Sequence, residues 1–289
     1  MQNIPRTNFF HIEYVPKELQ RVFLREYTAN GAKHIALSDA MILNIMANAN
    51  DRIFYKELVE EAGITYKDAH APFGKFLDLN CPLLHKEKIL RARLAMEITA
   101  DFGIDTITFH VGGPVHEGYT TDELHEEAVR TVEKLLPYAE KLNMTFCIEN
   151  VCNTSATAER LTDIKEHFIS DDTLGFCFDS GHAHLAACRE ALAAGDAGKS
   201  EELEIKILEK MLPHTVVCHL HDNDGTIDNH RIPGNGTTNW KKLLPVLAKA
   251  PRLKCIQNEC SEPFQKEVSS GTSIKTMLEN FDSILQYMQ

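Results

Sequence analysis

The sequence predicts an α/β fold, a single (β/α)8 TIM barrel that spans residues 1–289. Short segments rich in Ile, Val, Phe, Thr and Cys alternate with amphipathic helical patterns along the chain. No low-complexity linker or shift in composition divides the chain, and its length is ordinary for one such barrel. Because strand and helix alternate, parallel strands joined by right-handed crossovers are expected.

Eight segments have the composition of β-strands, and each ends in polar or Gly residues that are typical of a strand-to-loop boundary. Eight such units favour a closed barrel. An open, doubly wound sheet is the alternative, but it normally carries a glycine-rich phosphate-binding sequence after its first strand, and this sequence has none there. The predicted strands are 8–14, 33–39, 66–73, 105–113, 144–151, 174–182, 215–224 and 253–260.

Between the strands, apolar residues recur with helical spacing. The helix that begins at 121 opens with a Thr/Asp cap, and Pro137 predicts a kink in it. The segment that follows the second strand is instead predicted as a loop, whose apolar residues Met41, Ile42 and Ile45 would be exposed as an interface or a lid. The predicted helices are 17–31, 121–143, 200–212 and 272–288.

Composition narrows the functional class. Hydrophobic residues make up 43% and charged residues 25%, an ordinary soluble mixture. No apolar run approaches the roughly 18–20 residues of a membrane helix, and the first residues do not resemble a signal peptide. The net charge of −12 argues against a broad nucleic-acid surface. We therefore expect a cytoplasmic protein with neither a membrane nor a nucleic acid as partner.

The eight cysteines include no C-x-x-C pair, so a cysteine-based zinc site is not indicated. Four of them, Cys147, Cys177, Cys218 and Cys255, lie inside apolar strand segments. Buried free thiols in a reducing compartment are the expected state.

Side chains that can bind metals fall at the ends of six of the eight predicted strands. In a (β/α)8 barrel these ends open onto one rim, where active sites lie. Carboxylates and imidazoles brought together there are costly, and a cation offsets that cost. Carboxylate and imidazole ligands without thiolate suit Mn, Zn, Co, Fe or Mg. The rim residues are His70, His110, Glu149, Asp179, His182, His219, His221, Asp228, His230 and Glu259.

His219 and His221 are two residues apart, so they should share one face of the seventh strand. Six histidines outside the rim set are expected to have no part in the site. His11 and His34 are interpreted as hydrogen-bonded structural residues. The histidines expected to be solvated are His116, His125, His167 and His214.

The segment IPGNG (232–236) lies in the loop after the seventh strand. It permits two interpretations: a phosphate site built from backbone amides, with help from Arg231, or a plain turn before the next helix. Trp240, near the start of that helix, is interpreted as a packing residue rather than a platform for a sugar ring.

Seven stretches from the third to the eighth predicted strand resemble the xylose isomerase-like barrel superfamily, which contains sugar phosphate isomerases/epimerases and endonuclease IV. They occur in the order found in that superfamily, whereas the first two strands match only in general character. The stretches are HAPF (70–73), FHVGG (109–113), CIEN (147–150), FDSGHA (178–183), HLHDND (219–224), DNHRIPGNGTTNW (228–240) and NEC (258–260).

In the isomerase/epimerase branch, the resemblance implies one divalent ion held by Glu149, Asp179, His219 and Glu259, with His182 in contact with a small sugar substrate. The expected reaction is proton transfer through an enediolate, with Glu149 and Glu259 as the acid/base pair as well as ligands. Mn, Zn, Co or Mg would serve as the ion, and the substrate is either a sugar or a sugar phosphate. A homo-oligomer is compatible with the sequence.

The endonuclease IV branch is the alternative, with three zinc ions and abasic DNA as substrate. The loop after the second strand has one Arg and no aromatic wedge, and the rim has few of the basic residues that DNA binding uses. The sugar branch is therefore favoured over this phosphodiesterase, over polyol dehydration or an aldolase-like step, and over an inactive scaffold. The nine counterparts of the zinc ligands are His70, His110, Glu149, Asp179, His182, His219, Asp228, His230 and Glu259.

Overall fold

The computed structural model describes residues 4–113, 116–264 and 273–289. Its strands are β1 (Arg6–Asn8), β2 (His34–Leu37), β3 (Thr65–His70), β4 (Thr106–His110), β5 (Thr145–Glu149), β6 (Leu174–Asp179), β7 (Thr215–Leu220) and β8 (Cys255–Asn258). All neighbours pair in parallel, and β8 pairs with β1 to close the barrel. The predicted TIM barrel is therefore confirmed.

Helices surround the barrel on its outer side. Four of them, α1, α5, α8 and α10 as defined below, lie where helices were predicted, although the predicted start of the last one, residue 272, lies outside the described residues; the helix that contains Pro137 continues through it. The helices are α1 (Lys17–Ala29), α2 (Asp39–Ala47), α3 (Asp51–Ala62), α4 (His85–Asp101), α5 (Thr121–Lys141), α6 (Ala158–His167), α7 (Ser180–Ala193), α8 (Ser200–Met211), α9 (Trp240–Leu247) and α10 (Ile274–Leu285).

Local sequence explains where these helices start. The Thr120 hydroxyl accepts from the Glu123 amide, and the Glu123 carboxylate accepts from the Thr120 amide, which forms a capping box at α5. Ser38, Thr157 and Asp179 cap α2, α6 and α7 more simply, each through a side-chain oxygen that accepts from one backbone amide.

The first strand was predicted too late in the chain. The segment 8–14 shares only Asn8 with β1, and residues 12–14 form a short 3-10 helix. Phe9 donates the last ladder hydrogen bond, from its amide to the Asn258 carbonyl. The apolar residues beyond it belong to the core without being in a strand: Phe10 is fully buried.

The prediction of an exposed loop after the second strand was wrong. The segment forms α2 and the start of α3, and Met41, Ile42 and Ile45 are all buried in the main core. The Ser38 cap starts α2, and the Tyr66 hydroxyl lies 3.7 Å from the Met41 sulfur. Because these side chains are covered by the barrel, they supply neither a lid nor an interface.

The prediction that Cys147, Cys177, Cys218 and Cys255 are buried free thiols is confirmed, and all eight cysteines are free thiols. None of the described helices has the length and apolar character needed to span a bilayer. The carboxyl ends of the parallel strands all meet at one rim, and the candidate site lies there.

Candidate metal centre

Four side chains from adjacent strands meet at the centre of the rim. Glu149 and Asp179 end β5 and β6, His219 lies in β7, and Glu259 follows β8. One ligand atom from each lies within 4.8 Å of the others, and every one of the four residues is at least nine-tenths buried. These four residues, called the quartet below, are the predicted single-ion ligand set.

The hydrogen bonding inside the quartet is incomplete. Both ring nitrogens of His219 and Oε2 of Glu259 are buried without a hydrogen-bond partner. His219 Nδ1 lies 3.1 Å from Glu259 Oε2 and 3.5 Å from Glu149 Oε2, but these approaches are not aligned as hydrogen bonds. Buried polar atoms without partners are costly, and three carboxylates around one imidazole fit a divalent cation.

The charges around the quartet favour the ionised form of its two glutamates. Burial alone would raise the pKa of Glu149, but the imidazoles of His219 and His110 hold it well below its usual value. Burial opposes ionisation of Glu259 as well, and His219 and His230 outweigh it, so its pKa is also lowered. Both carboxyl groups are therefore ionised at neutral pH.

A second group lies beside Glu149. His70 Nε2 and His110 Nε2 lie 3.3 and 3.5 Å from Glu149 Oε2. The ring of Phe73 covers both imidazoles, with centroid distances of 5.3 and 4.4 Å. Ligand atoms of the two histidines and Glu149 also lie within 4.8 Å of one another.

A third group lies on the other side of the quartet. His182 Nε2 is 2.9 Å from Asp228 Oδ2, and His230 Nε2 is 3.6 Å from the same oxygen. Burial opposes the charged form of His230, but the Asp228 carboxylate raises its pKa to about 9. The backbone of His230 is left-handed, with φ of 43°, which is strained for a residue with a side chain.

Three of these rings are fixed in the same manner. The Nδ1–H groups of His70, His182 and His230 each donate to a backbone carbonyl, at 2.8, 3.0 and 2.9 Å. Each ring therefore presents Nε2 towards a rim carboxylate. This is the arrangement by which proteins orient histidines that bind metals.

Arg231 is engaged within its own loop. Its Nη2 donates to Asp224 Oδ2 at 2.8 Å, and its backbone pairs with that of Asp222. The neighbouring amides are also occupied: that of Ile232 donates to Glu262, and that of Gly234 donates to Asp222. These contacts support the plain turn over a phosphate site in 232–236.

Two of the histidines expected to be solvated are buried. The prediction for His116 and His125 was wrong, because His125 on α5 pairs with Asp163 on α6 at 2.5 Å and His116 is 5% exposed. His167 is exposed and His214 is half-buried. The two histidines interpreted as structural are both hydrogen-bonded: His11 pairs with Glu13, and His34 pairs with Thr65.

The sequence interpretation missed Asp222, which is fully buried. Its carboxylate accepts from the Trp240 ring nitrogen at 2.9 Å and from three backbone amides. Trp240 is therefore a packing residue, as predicted. The sequence HDND (221–224) after β7 shows that carboxylates lie at this strand end, but it does not show which of them is structural and which could be a metal ligand.

Three curated proteins are related to this chain in sequence, two of them as follows. Uncharacterized protein y4fM of Sinorhizobium fredii is 25% identical over 224 residues, which cover 68% of this chain and 66% of that protein. Uncharacterized protein MJ1614 of Methanocaldococcus jannaschii is 25% identical over 230 residues, covering 78% and 80%. This chain thus spans just under two thirds of the length of the first relative.

Three solved structures share the fold at low sequence identity. A D-tagatose 3-epimerase-like protein has a TM-score of 0.70 at 18% identity, covering 99% of this chain and 97% of that one. The IOLI protein with a binding zinc atom has 0.72 at 16%, covering 99% of both. A xylose isomerase-like TIM barrel protein from Mycobacterium smegmatis in complex with magnesium has 0.69 at 14%, covering 99% and 97%.

The resemblance seen in the sequence is confirmed at the level of the family. A family model described as xylose isomerase-like TIM barrel matches residues 30–260, which is most of the chain and includes β2 to β8. The chain belongs to the xylose isomerase-like TIM barrel family.

Proposed function

We propose that this chain is a divalent-metal-dependent isomerase or epimerase that acts on a small sugar or sugar phosphate. The observation that carries the proposal is the buried quartet, which gathers three carboxylates and one imidazole with atoms left unpaired. The fold of the whole chain is shared with a D-tagatose 3-epimerase-like protein and a D-psicose 3-epimerase, which supports a sugar as substrate.

In this proposal Glu149, Asp179, His219 and Glu259 hold the ion, which is Mn, Zn, Co or Mg. When bound, a divalent ion supplies Lewis-acid stabilisation of the negative charge that develops on the substrate oxygens. The ionised carboxylates of Glu149 and Glu259 offset its charge. Zinc and magnesium are the ions named with two of the fold neighbours.

Glu149 and Glu259 are proposed to move the proton. Their strands are not adjacent, but their carboxylates converge on His219, so both reach the same substrate carbon region. One carboxylate removes the proton from the carbon next to the carbonyl, and the other returns it to a different carbon or face. His182, whose Nε2 lies 2.9 Å from Asp228 Oδ2, would contact a substrate hydroxyl, and Arg231 would act only through its loop.

The first test is metal content per chain, measured by elemental analysis of protein purified without added metal. About one exchangeable ion per chain is expected. Sugars and sugar phosphates are then incubated with the loaded protein in D2O, and NMR detects exchange of the carbon-bound proton. A chain that binds no divalent ion would contradict the proposal, as would exchange that is the same without metal.

The variants Glu149→Gln and Glu259→Gln should lose turnover by about 100-fold or more while the fold survives, because each removes a proton acceptor. Glu204→Gln is the matched control: Glu204 is a buried carboxyl group that pairs with His184, outside the rim groups described above. Near-normal turnover in both rim variants would contradict the assignment of the acid/base pair.

A zinc phosphodiesterase of the endonuclease IV type is the second candidate. It is favoured by the two flanking groups, in which three histidines present Nε2 beside the quartet. It predicts close to three tightly held zinc ions per chain and hydrolysis of abasic DNA or bis(p-nitrophenyl) phosphate. A result of one ion per chain and no phosphodiester hydrolysis would favour the isomerase over the phosphodiesterase.

A further inference from the structure

His221 differs from the other rim histidines in its contacts. It is fully buried, and its Nε2 lies 3.1 Å from Asp179 Oδ2, in hydrogen-bond geometry. Its ring stacks on that of His230, with centroids 3.8 Å apart and planes 13° apart. The same imidazole thus contacts the quartet through Asp179 and the third group through His230.

The stretch Asp179–Ser180–Gly181 is shaped around this ring. The Ser180 hydroxyl donates to the His221 carbonyl at 2.9 Å and accepts from the His221 amide at 3.1 Å. A Cβ atom added at Gly181 would lie 2.0 Å from Cε1 of the His221 ring, so only glycine leaves room for it. These three residues form the seat of His221: Asp179 bonds its ring, Ser180 bonds its backbone, and Gly181 leaves the space that the ring occupies.

The stacking excludes His221 as a ligand that shares an ion with His230. Although His221, His230 and Glu259 have ligand atoms within 4.8 Å, the lone pair of an imidazole nitrogen lies in the ring plane. Two nearly parallel stacked rings direct their lone pairs side by side rather than at one point. A hydrogen bond to a ligand carboxylate is instead the contact of a supporting residue.

We propose that His221 is a positioning residue that holds the Asp179 carboxylate in its orientation through Nε2, with the stacked His230 ring as its neighbour. The inference rests on the proposed metal centre. Its Nε2–H fixes one carboxylate oxygen of Asp179, which leaves Oδ1 to cap α7 at the His182 amide, 2.7 Å away. Its flat ring supports the strained backbone position from which His230 reaches the rim.

Two variants separate the two contacts. His221→Gln retains an N–H donor about as far from the backbone as Nε2 but loses the stacking surface. His221→Phe retains a flat ring and loses the donor. His125→Phe is the control, because His125 is a buried histidine that pairs with an aspartate in the outer helices.

The probe is Co2+ alone. Its dissociation constant is measured by competition with a chromophoric chelator, and its visible spectrum reports the ligand geometry. We expect His221→Phe to weaken binding by about 10- to 100-fold with a changed spectrum, the usual effect of losing such a partner. His221→Gln should stay within about threefold, and His125→Phe should bind as the unaltered protein does.

Binding by His221→Phe equal to that of the unaltered protein would overturn the inference, and so would equal losses in the Phe and Gln variants. If the Phe variant does not fold, Ser180→Ala replaces it, and it should bind several-fold more weakly than His221→Gln; equal binding by these two would overturn the inference. Failure of the unaltered protein to bind Co2+ would instead contradict the proposed function itself.

Discussion

Asp68 shows how strongly burial acts on a single residue of this barrel. It lies two residues before His70 on β3 and is fully buried. Oδ1 accepts from the Thr106 hydroxyl at 2.6 Å, whereas Oδ2 has no hydrogen-bond partner. Burial raises the pKa of Asp68 from 3.8 to about 6, against the opposing effect of nearby His219.

This shift predicts a pH-dependent effect of Asp68→Asn on stability. Between pH 4 and 6 the folded chain keeps a proton on Asp68 that the unfolded chain releases, so this residue's contribution to stability is lost as pH rises. The full difference between the folded and unfolded pKa of Asp68 corresponds to about 3 kcal/mol in the free energy of unfolding. Urea unfolding at several pH values should show Asp68→Asn gaining on the unaltered protein as pH rises from 4 to 7.

The control for this prediction is Asp171→Asn, since Asp171 is only half-buried. A stability difference between Asp68→Asn and the unaltered protein that stays constant across this pH range would contradict the prediction.

At the residue scale, sequence reasoning predicted the rim better than the histidines outside it. Residues such as Glu149 and Asp179 were found because they end strands, and every strand of a parallel barrel ends at the same rim. His125 was misjudged because its partner, Asp163, lies on another helix. Asp68 was missed because no local pattern shows that a strand residue points into the barrel interior.

At the scale of elements, the long connection between β7 and α9 is organised by one carboxylate. Asp222 accepts from the amides of Asn223, Gly234 and Thr238 and from the Trp240 ring. An added Cβ at Gly236 would lie 2.1 Å from Asp222 Oδ1, so the chain also passes close by. The same connection carries Asp228 and His230 to the rim.

Asp222→Ala should therefore destabilise the fold by about 3 kcal/mol, because buried donors lose their acceptor. Urea unfolding followed by circular dichroism measures this change. Asp224→Ala is the matched control: Asp224 is partly exposed and its main partners are the nearby Thr226 and Arg231. A cost for Asp222→Ala no larger than that for Asp224→Ala would contradict the role given to Asp222.

Elements were predicted well where composition and period agreed, as in α5 and β5. They were predicted poorly where a short, mostly apolar segment permits either helix or loop, as in α2. Most residues of α2 are apolar, so no continuous polar face marked the segment as a helix. Only the Ser38 cap indicated where it starts. The first strand is only three residues long, too short for alternation to locate it.

At the scale of the whole molecule, the quartet draws on β5, β6, β7 and the end of β8, a continuous half of the barrel wall. An ion bound there would join four strands at their carboxyl ends and would offset the mutual repulsion of three carboxylates. Since only the folded chain assembles these ligands, binding free energy adds to the free energy of unfolding.

Removal of metal should therefore lower the thermal midpoint. At a free ion concentration 100 times the dissociation constant, binding adds about 2.7 kcal/mol. Calorimetry with Zn2+ or Mn2+ should show a midpoint a few degrees higher than with EDTA. His219→Leu should abolish this difference because it removes the only imidazole of the quartet. Equal midpoints with and without metal in the unaltered protein would contradict the prediction.

The seat of His221 has a consequence for the order of folding. Asp179, Ser180 and Gly181 come from the end of β6 and the start of α7, and the ring that they enclose follows β7. The seat is complete only after β6 and β7 have paired and the chain beyond β7 has turned back to bring His230 onto the ring. We expect the ion to be captured late, by a barrel that has already closed, so the time course of capture would report the last step of assembly rather than its nucleus.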